Sequence, residues 1–291
     1  MQNYKTNCFN SDNLSIKCGD RSINFEKPLV MGILNLTPDS FYDGGSYLNK
    51  TAILKRSEQI LSEGAGIIDL GAYSTRPGAA EVSAEEEILR MIPAVECIRK
   101  EFPNVILSID TFRAEVAKRT VTDFGACIIN DISGGTMDDK MFSVIGELKV
   151  PYIMMHIKGT PQTMQQNPVY HHLVNDMLAF FRSQIKSLNE FGAKDIIIDP
   201  GFGFGKTLDH NYEIIANLQE FNQLNLPILI GVSRKSMIYK FLGGDPSTSL
   251  NGTTALNMMA LDQGADILRV HDVKEAVECV KLYSKIKSSL Q

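Results

Sequence analysis

The chain of 291 residues has no tryptophan and no block of basic side chains. Its formal net charge is −5, so the electrostatic footprint of a nucleic-acid binder is missing. No apolar run approaches the ~20 residues that span a bilayer. The five cysteines, Cys8, Cys18, Cys97, Cys127 and Cys279, show neither C-x-x-C nor metal-site spacing. An odd count behind a polar start, Met1-Gln2-Asn3-Tyr4-Lys5, reads as reduced thiols in a cytoplasmic protein without a secretory segment. His156, His171 and His172 lack metal spacing, and no Ser/His/Asp or Cys/His nucleophile set is indicated. What is present is a hydrophobic fraction of 44% and a charged fraction of 22%, enough for one large α/β domain or two ordinary ones.

Residues 1–28 read as a small antiparallel extension that closes one end of the main domain. Leu14–Cys18 and Ser22–Phe25 alternate around Gly19-Asp20, the composition of a tight hairpin turn. After Pro28 short apolar runs recur at 29–34, 66–70, 105–109, 127–129, 151–155, 195–198, 228–231 and 267–270. Helical periodicity fills the spaces, near 51–63, 84–101, 112–124, 138–148, 169–191, 209–221, 251–263 and 273–288. Ser83 before Glu85–Glu87, and Asp110-Thr111 before Arg113 and Glu115, read as helix starts. Eight strand–helix alternations predict an α/β fold of the (β/α)8 barrel kind, a TIM barrel, over residues 29–291. A doubly wound sheet is the alternative.

A barrel should gather its functional side chains at the C-terminal ends of its strands. All eight ends carry ligand-capable residues: Asn35, Asp69, Asp110, Asn130-Asp131, His156, Asp199, Ser233-Arg234-Lys235 and Arg269/His271. Any single one could be a cap or a strand-end hydrogen bond; all eight together are hard to ascribe to caps. Asp110, Asn130 and Asp199 suit a flat heterocycle with adjacent N–H donors, bound bidentate by a carboxylate. Lys235 would neutralise part of that charge or bond ring acceptors; a Schiff-base lysine is the lesser reading. Arg269 and His271, two apart on a strand, point the same way and with Arg76 suit an anion such as phosphate. Asn35 offers a hard oxygen for Mg²⁺, or an ordinary turn cap. The Gly/Pro/Ser/Asp-rich loops 36–47 and 72–81 read as functional covers of the mouth.

The stretch Ile196-Ile197-Ile198-Asp199-Pro200-Gly201-Phe202-Gly203-Phe204-Gly205-Lys206 runs a buried strand into an acid and a glycine-rich loop. Gly205-Lys206-Thr207 invites a phosphate-loop reading, but G-x-x-x-x-G-K-[ST] needs glycine where Pro200 stands. Lys206 is therefore set aside in favour of Lys235.

These strand ends carry a family resemblance. Gly32–Phe41, Asp69-Leu70-Gly71 with Ser74–Gly78, Ser108–Thr111, Ile129–Gly135, Met155-His156 with Gly159-Thr160-Pro161, Asp199–Lys206, Gly231–Ser236 and Leu268–Asp272 together resemble the dihydropteroate synthases over roughly residues 29–290. The resemblance implies a transferase of folate biosynthesis that joins 6-hydroxymethyl-7,8-dihydropterin pyrophosphate to p-aminobenzoate, with Mg²⁺ as cofactor. It further implies that Asp110, Asn130, Met155, Asp199 and Lys235 hold the pterin. Thr75, Arg269 and His271 would hold the pyrophosphate, with Mg²⁺ on Asn35, while Thr75, Arg76, Phe204 and Ser233 would complete the p-aminobenzoate site. Lys235, Asp199 and Arg269 are the implied catalytic residues, in a dissociative reaction. A homodimer and competition by sulfonamide inhibitors are implied as well. A pterin-binding methyltransferase barrel and a non-catalytic pterin binder are the competing readings.

Overall fold

The structure is a computed structural model and describes residues 14–36, 42–43, 47–73, 82–166 and 168–289. Strands β1 (Ser15–Cys18) and β2 (Arg21–Asn24) pair antiparallel about Gly19-Asp20, as the alternating sequence predicts. The barrel strands are β3 (Leu29–Asn35), β6 (Ile67–Gly71), β7 (Ile106–Asp110), β8 (Ile128–Asp131), β9 (Tyr152–Met155), β10 (Ile196–Asp199), β11 (Leu229–Ile230) and β12 (Ile267–Val270). A two-residue ribbon, β4 (Tyr42–Asp43) with β5 (Tyr47–Leu48), follows β3.

All eight barrel strands are parallel, in the order β10-β9-β8-β7-β6-β3-β12-β11. The two ends of that order meet through a parallel bridge between Ile198 and Ile228, with Ile198 N donating to Pro227 O at 2.9 Å. This closes the sheet and excludes the doubly wound alternative, whose sheet would keep two open edges.

Helices α1 (Lys50–Ser62), α2 (Ala84–Glu101), α3 (Ala114–Phe124), α4 (Met141–Leu148), α5 (Leu173–Glu190), α6 (Leu208–Ala216), α7 (Ser236–Leu242), α8 (Leu250–Asp262) and α9 (Val273–Ser288) surround the barrel. Their apolar stripes and the outward residues of the strands form one contiguous core. Ser83 caps α2 by accepting from Glu86 N at 3.1 Å, as its position predicts. The expected start of α3 at Asp110-Thr111 is corrected. Arg113 is its N-cap without a side-chain bond, and Asp138 Oδ2 accepts from Ala114 N at 2.8 Å instead. Asp110 is thereby left to the strand end. After β11 the chain forms α7 before α8, where periodicity predicts only the second helix; seven residues are too few to establish a helical period.

The barrel interior is layered. At its N-terminal end Met31, Ile67, Ile128, Ile153, Ile197, Leu229 and Ile267 pack against Ile16, Cys18, Ile23 and Phe25 of the hairpin segment. The hairpin is thus the floor of the barrel. Lys17 N donating to Asp195 Oδ1 at 2.7 Å and Arg21 Nη2 donating to Asn104 Oδ1 at 2.6 Å fasten it. Two residues further along, on the same inward face, Asp69, Asn130, Asp199 and Arg269 replace aliphatic side chains, beside Ile33, Met155 and Gly231.

Candidate active site

The parallel register sets the site residues side by side. Asn35 pairs with Gly71, Gly71 with Asp110, Asp110 with Asn130, and Met155 with Asp199. Gly71 contributes no side chain between its neighbours; a Cβ there would lie 3.4 Å from Asn35 Oδ1 and 3.6 Å from Asp110 Oδ2. The mouth therefore stays open above the strand ends.

Arg269 reaches across from β12. Its Nε donates to Asp69 Oδ2 at 2.7 Å and its Nη2 to Asp110 Oδ2 at 2.7 Å. Asp69 is fully buried and also accepts from Asn130 Nδ2 at 3.2 Å. Sequence reasoning separates carboxylates from cations; the fold interleaves them, because one guanidinium can serve two carboxylates with its five donors. Burial disfavours the Arg269 charge, but Asp69 and Asp110 outweigh it and hold the cation above its ordinary value. Burial lifts Asp110 to about 7, against the pull of Arg269 and with the repulsion of Asp69, Glu87 and Asp131.

On the opposite wall Asp199 ends β10, buried, and accepts from Gly201 N at 2.7 Å. Burial raises its pKa while Lys235, Arg269 and Lys206 oppose the rise. Lys235 Nζ donates to Phe202 O at 2.5 Å and lies 4.8 Å from the centre of the Phe204 ring. Burial brings Lys235 down to about 8, with Asp199 holding it up and Arg269 pushing it further down. Met155 belongs to an apolar collar with Phe112, Ile132, Ile157 and Met164, against which Tyr73, Met137 and Phe204 pack. A flat ligand can lie on that collar with its polar edge on the carboxylates.

The loop after β11 is held in an uncommon conformation. Arg234 has φ +55°, in the left-handed region, and a fork to Asp272 stabilises it, with Nε to Oδ2 at 2.9 Å and Nη2 to Oδ1 at 2.5 Å. This fork ties the ends of strands β11 and β12 together. Ser233 Oγ consequently lies 3.2 Å from His271 Nδ1 and accepts from His271 N at 3.1 Å. Burial, then Arg269 and Arg234, bring His271 down to about 4, so it is neutral near pH 7 and available as a hydrogen-bonding group.

Asn35 is exposed at the end of β3, and its Oδ1 flanks Gly71 opposite the Asp110 carboxylate. Among the described residues no three His, Cys, Asp or Glu side chains converge as a metal cage. This donor set fits a hard cation such as Mg²⁺, which takes few protein oxygens and keeps waters and phosphate oxygens. Thr75 and Arg76, together with most of the loops 36–47 and 72–81, lie outside the described residues.

Asp69 is visible in the sequence as the strand-two acid but receives no role there; it sits two residues below Gly71 on the inward face. Its partners come from strands 61 and 200 positions away.

The profile of a family described as pterin binding enzymes matches residues 31–271. The chain is 46% identical over 263 residues to dihydropteroate synthase of Escherichia coli K12, covering 90% of this chain and 92% of that one. It superposes with a TM-score of 0.88 and 40% identity on a Yersinia pestis dihydropteroate synthase in complex with a sulfonamide drug, covering 94% and 100% of the two chains. It superposes with a TM-score of 0.85 and 34% identity on a Xanthomonas albilineans dihydropteroate synthase with 4-aminobenzoic acid, covering 94% and 98%.

Proposed function

Because the chain belongs to the family of pterin-binding enzymes and is a transferase of the dihydropteroate synthase kind, we propose that it performs this reaction of folate biosynthesis with the residues gathered at its barrel mouth. It joins 6-hydroxymethyl-7,8-dihydropterin pyrophosphate to p-aminobenzoate and releases 7,8-dihydropteroate and pyrophosphate. The observation that carries this reading is the buried pairing of acids and cations across one cavity: Asp110 with Arg269, and Asp199 opposite Lys235.

Asp199 and Asp110 accept from the N–H edge of the pterin, Asn130 adds an amide, and Lys235 donates to a ring acceptor. Met155 lies against the ring face. Asp69 and Asp110 occupy Nε and Nη2 of Arg269, and Nη1 remains outside both pairs. Arg269 and neutral His271, with Thr75, receive the pyrophosphate. Asn35 would hold a Mg²⁺ ion, which would supply further neutralisation of the pyrophosphate charge.

In the reaction the methylene–oxygen bond breaks, and its electron pair leaves with pyrophosphate. Arg269 stabilises that developing charge without reorganising, because two carboxylates already hold its plane. The methylene carbon becomes cationic in conjugation with the pterin, and the Asp199 carboxylate favours that state. The neutral aryl amine then forms the carbon–nitrogen bond and loses a proton to pyrophosphate or water. Phe204, Ser233, Thr75 and Arg76 shape the p-aminobenzoate site, so a sulfonamide of similar shape competes there. A pterin methyltransferase would have no use for the Arg269–His271 pair.

The exposed side chains Phe241, Leu242, Met259, Leu282 and Ile286 lie on the consecutive helices α7, α8 and α9 and support a homodimer through that face. Free thiols at Cys18, Cys97, Cys127 and Cys279 support a cytoplasmic setting. Among the described residues no helix is long and apolar enough to cross a membrane. The test is to incubate the protein with the dihydropterin pyrophosphate, p-aminobenzoate and Mg²⁺. Dihydropteroate and pyrophosphate should form in equal amounts; folded protein that yields neither refutes the proposal.

A further inference from the structure

The segment after β9, residues 157–166, forms part of the mouth that the charged strand ends do not account for. It turns at Gly159-Thr160-Pro161, where Thr160 N donates to Thr163 Oγ1 at 3.0 Å and Thr160 O accepts from Met164 N at 2.7 Å. Ile157 and Met164 enter the apolar collar that includes Met155, against which Phe204 packs. Two exposed glutamines of this segment reach different loops. Gln162 Nε2 donates to Tyr73 Oη at 3.3 Å, after β6, and Gln165 Nε2 donates to Gly203 O at 2.7 Å, after β10. In the barrel order β9 lies between those two strands.

Gly203 is the pivot of the Phe204 loop. Its φ is +81°, in the left-handed region, and a Cβ there would lie 3.7 Å from Lys235 Cδ. Two peptide planes meet at this residue. The plane before it is held by Phe202 O, which accepts from Lys235 Nζ at 2.5 Å, and by Gly203 N, which donates to Asn211 Oδ1 at 2.7 Å. The plane after it is held by Phe204 N, which donates to Gly201 O at 3.1 Å, and by Gly203 O, which accepts from Gln165. Rotation of this second plane changes φ of Phe204, and with it the direction of the ring. The ring centre lies 4.8 Å from Lys235 Nζ.

We infer that Gln165 is a positioning residue for p-aminobenzoate: by holding the Gly203–Phe204 peptide plane it keeps the Phe204 ring beside Lys235 and so shapes the slot for the aryl amine. This rests on the place of Phe204 in the proposed p-aminobenzoate site. The proposed pterin contacts of Asp110, Asn130 and Asp199 stand on strand ends, outside this loop.

The test is steady-state kinetics, with each substrate varied in turn, on wild type, Gln165→Leu, Phe204→Leu and the double variant. Gln165→Leu removes the amide donor at an exposed position, so the melting temperature should stay that of wild type. The KM for p-aminobenzoate should rise about five- to tenfold, the scale of one lost hydrogen bond. The KM for the pterin substrate and kcat should both stay within about twofold. In the Phe204→Leu background, Gln165→Leu should add less than about twofold, because the ring it positions is gone. An unchanged KM for p-aminobenzoate in Gln165→Leu, equal rises for both substrates, or full additivity in the double variant overturns the inference. A wild-type KM for p-aminobenzoate in Phe204→Leu removes Phe204 from that site, and the role of Gln165 with it. Folded wild type that makes no dihydropteroate refutes the proposed function itself, and with it the substrate that Gln165 would serve.

Discussion

Asp69 touches both Arg269 and Asn130, so substituting it disturbs two walls of the cavity at once. Asp69→Asn should cost about 3 kcal/mol in urea unfolding, because Arg269 loses one of its two buried partners. It should also lower the Asp110 pKa, since Asp69 repels that carboxylate. The acid limb of pterin binding would move to lower pH. Asp110 at about 7 and Lys235 at about 8 define a narrow window in which both are charged. Pterin affinity should therefore rise as pH climbs through about 7 and fall above about 8, a bell read by titration across pH. Stability runs the other way. Asp110 is raised from 3.8, so the folded state holds the extra proton below about 7, and its contribution is lost as pH rises through that value. Lys235 is lowered from 10.5, so the unfolded chain holds the extra proton above about 8, and stability is regained as pH rises toward 10.5. The ligand-free pocket costs most where it binds best. Asp110, Asn130, Asp199 and Arg269 were legible one by one, because each stands at the C-terminal end of a strand, and Lys235 because it lies in the loop just after one. The pairing among them was not, because it spans up to 200 residues and depends on barrel closure.

Among the elements, the hairpin was legible both as a local pattern and as a piece that closes one end of the main domain. Alternation around Gly19-Asp20 predicts two strands, and two strands form. That the end they close is the floor, opposite the strand-end side chains, follows from the layer of Met31, Ile67 and Ile197 above them. Phe25, 1% exposed, anchors the seal. Phe25→Ala should cost about 3–5 kcal/mol in chemical denaturation and leave pterin affinity unchanged, since the floor and the mouth are at opposite ends of the strands. A parallel fall in affinity measured by calorimetry would contradict that separation. Helix starts were legible where a single side chain caps its own helix, as Ser83 does. At α3 the bond comes from Asp138, 24 residues onward, which no local window contains. Arg234 likewise gives no local sign of its left-handed conformation, which is held by Asp272 at the start of α9, 38 residues onward.

At the scale of the whole molecule, a closed ring of parallel strands brings residues from Asn35 to His271 to one face and gives every one of them a rigid base. The eight-fold alternation of short apolar runs with helical segments made that architecture legible. On the proposed function the face divides its labour: carboxylates would hold the pterin, and Arg269 would also serve the pyrophosphate. Calorimetric titration of 6-hydroxymethylpterin and of its pyrophosphate, each against wild type, Asp199→Asn and Arg269→Lys, measures it directly. Asp199→Asn should weaken both ligands by the same factor, and Arg269→Lys should weaken the pyrophosphate ester at least tenfold more than the free pterin. Equal losses for both ligands in Arg269→Lys would contradict the account.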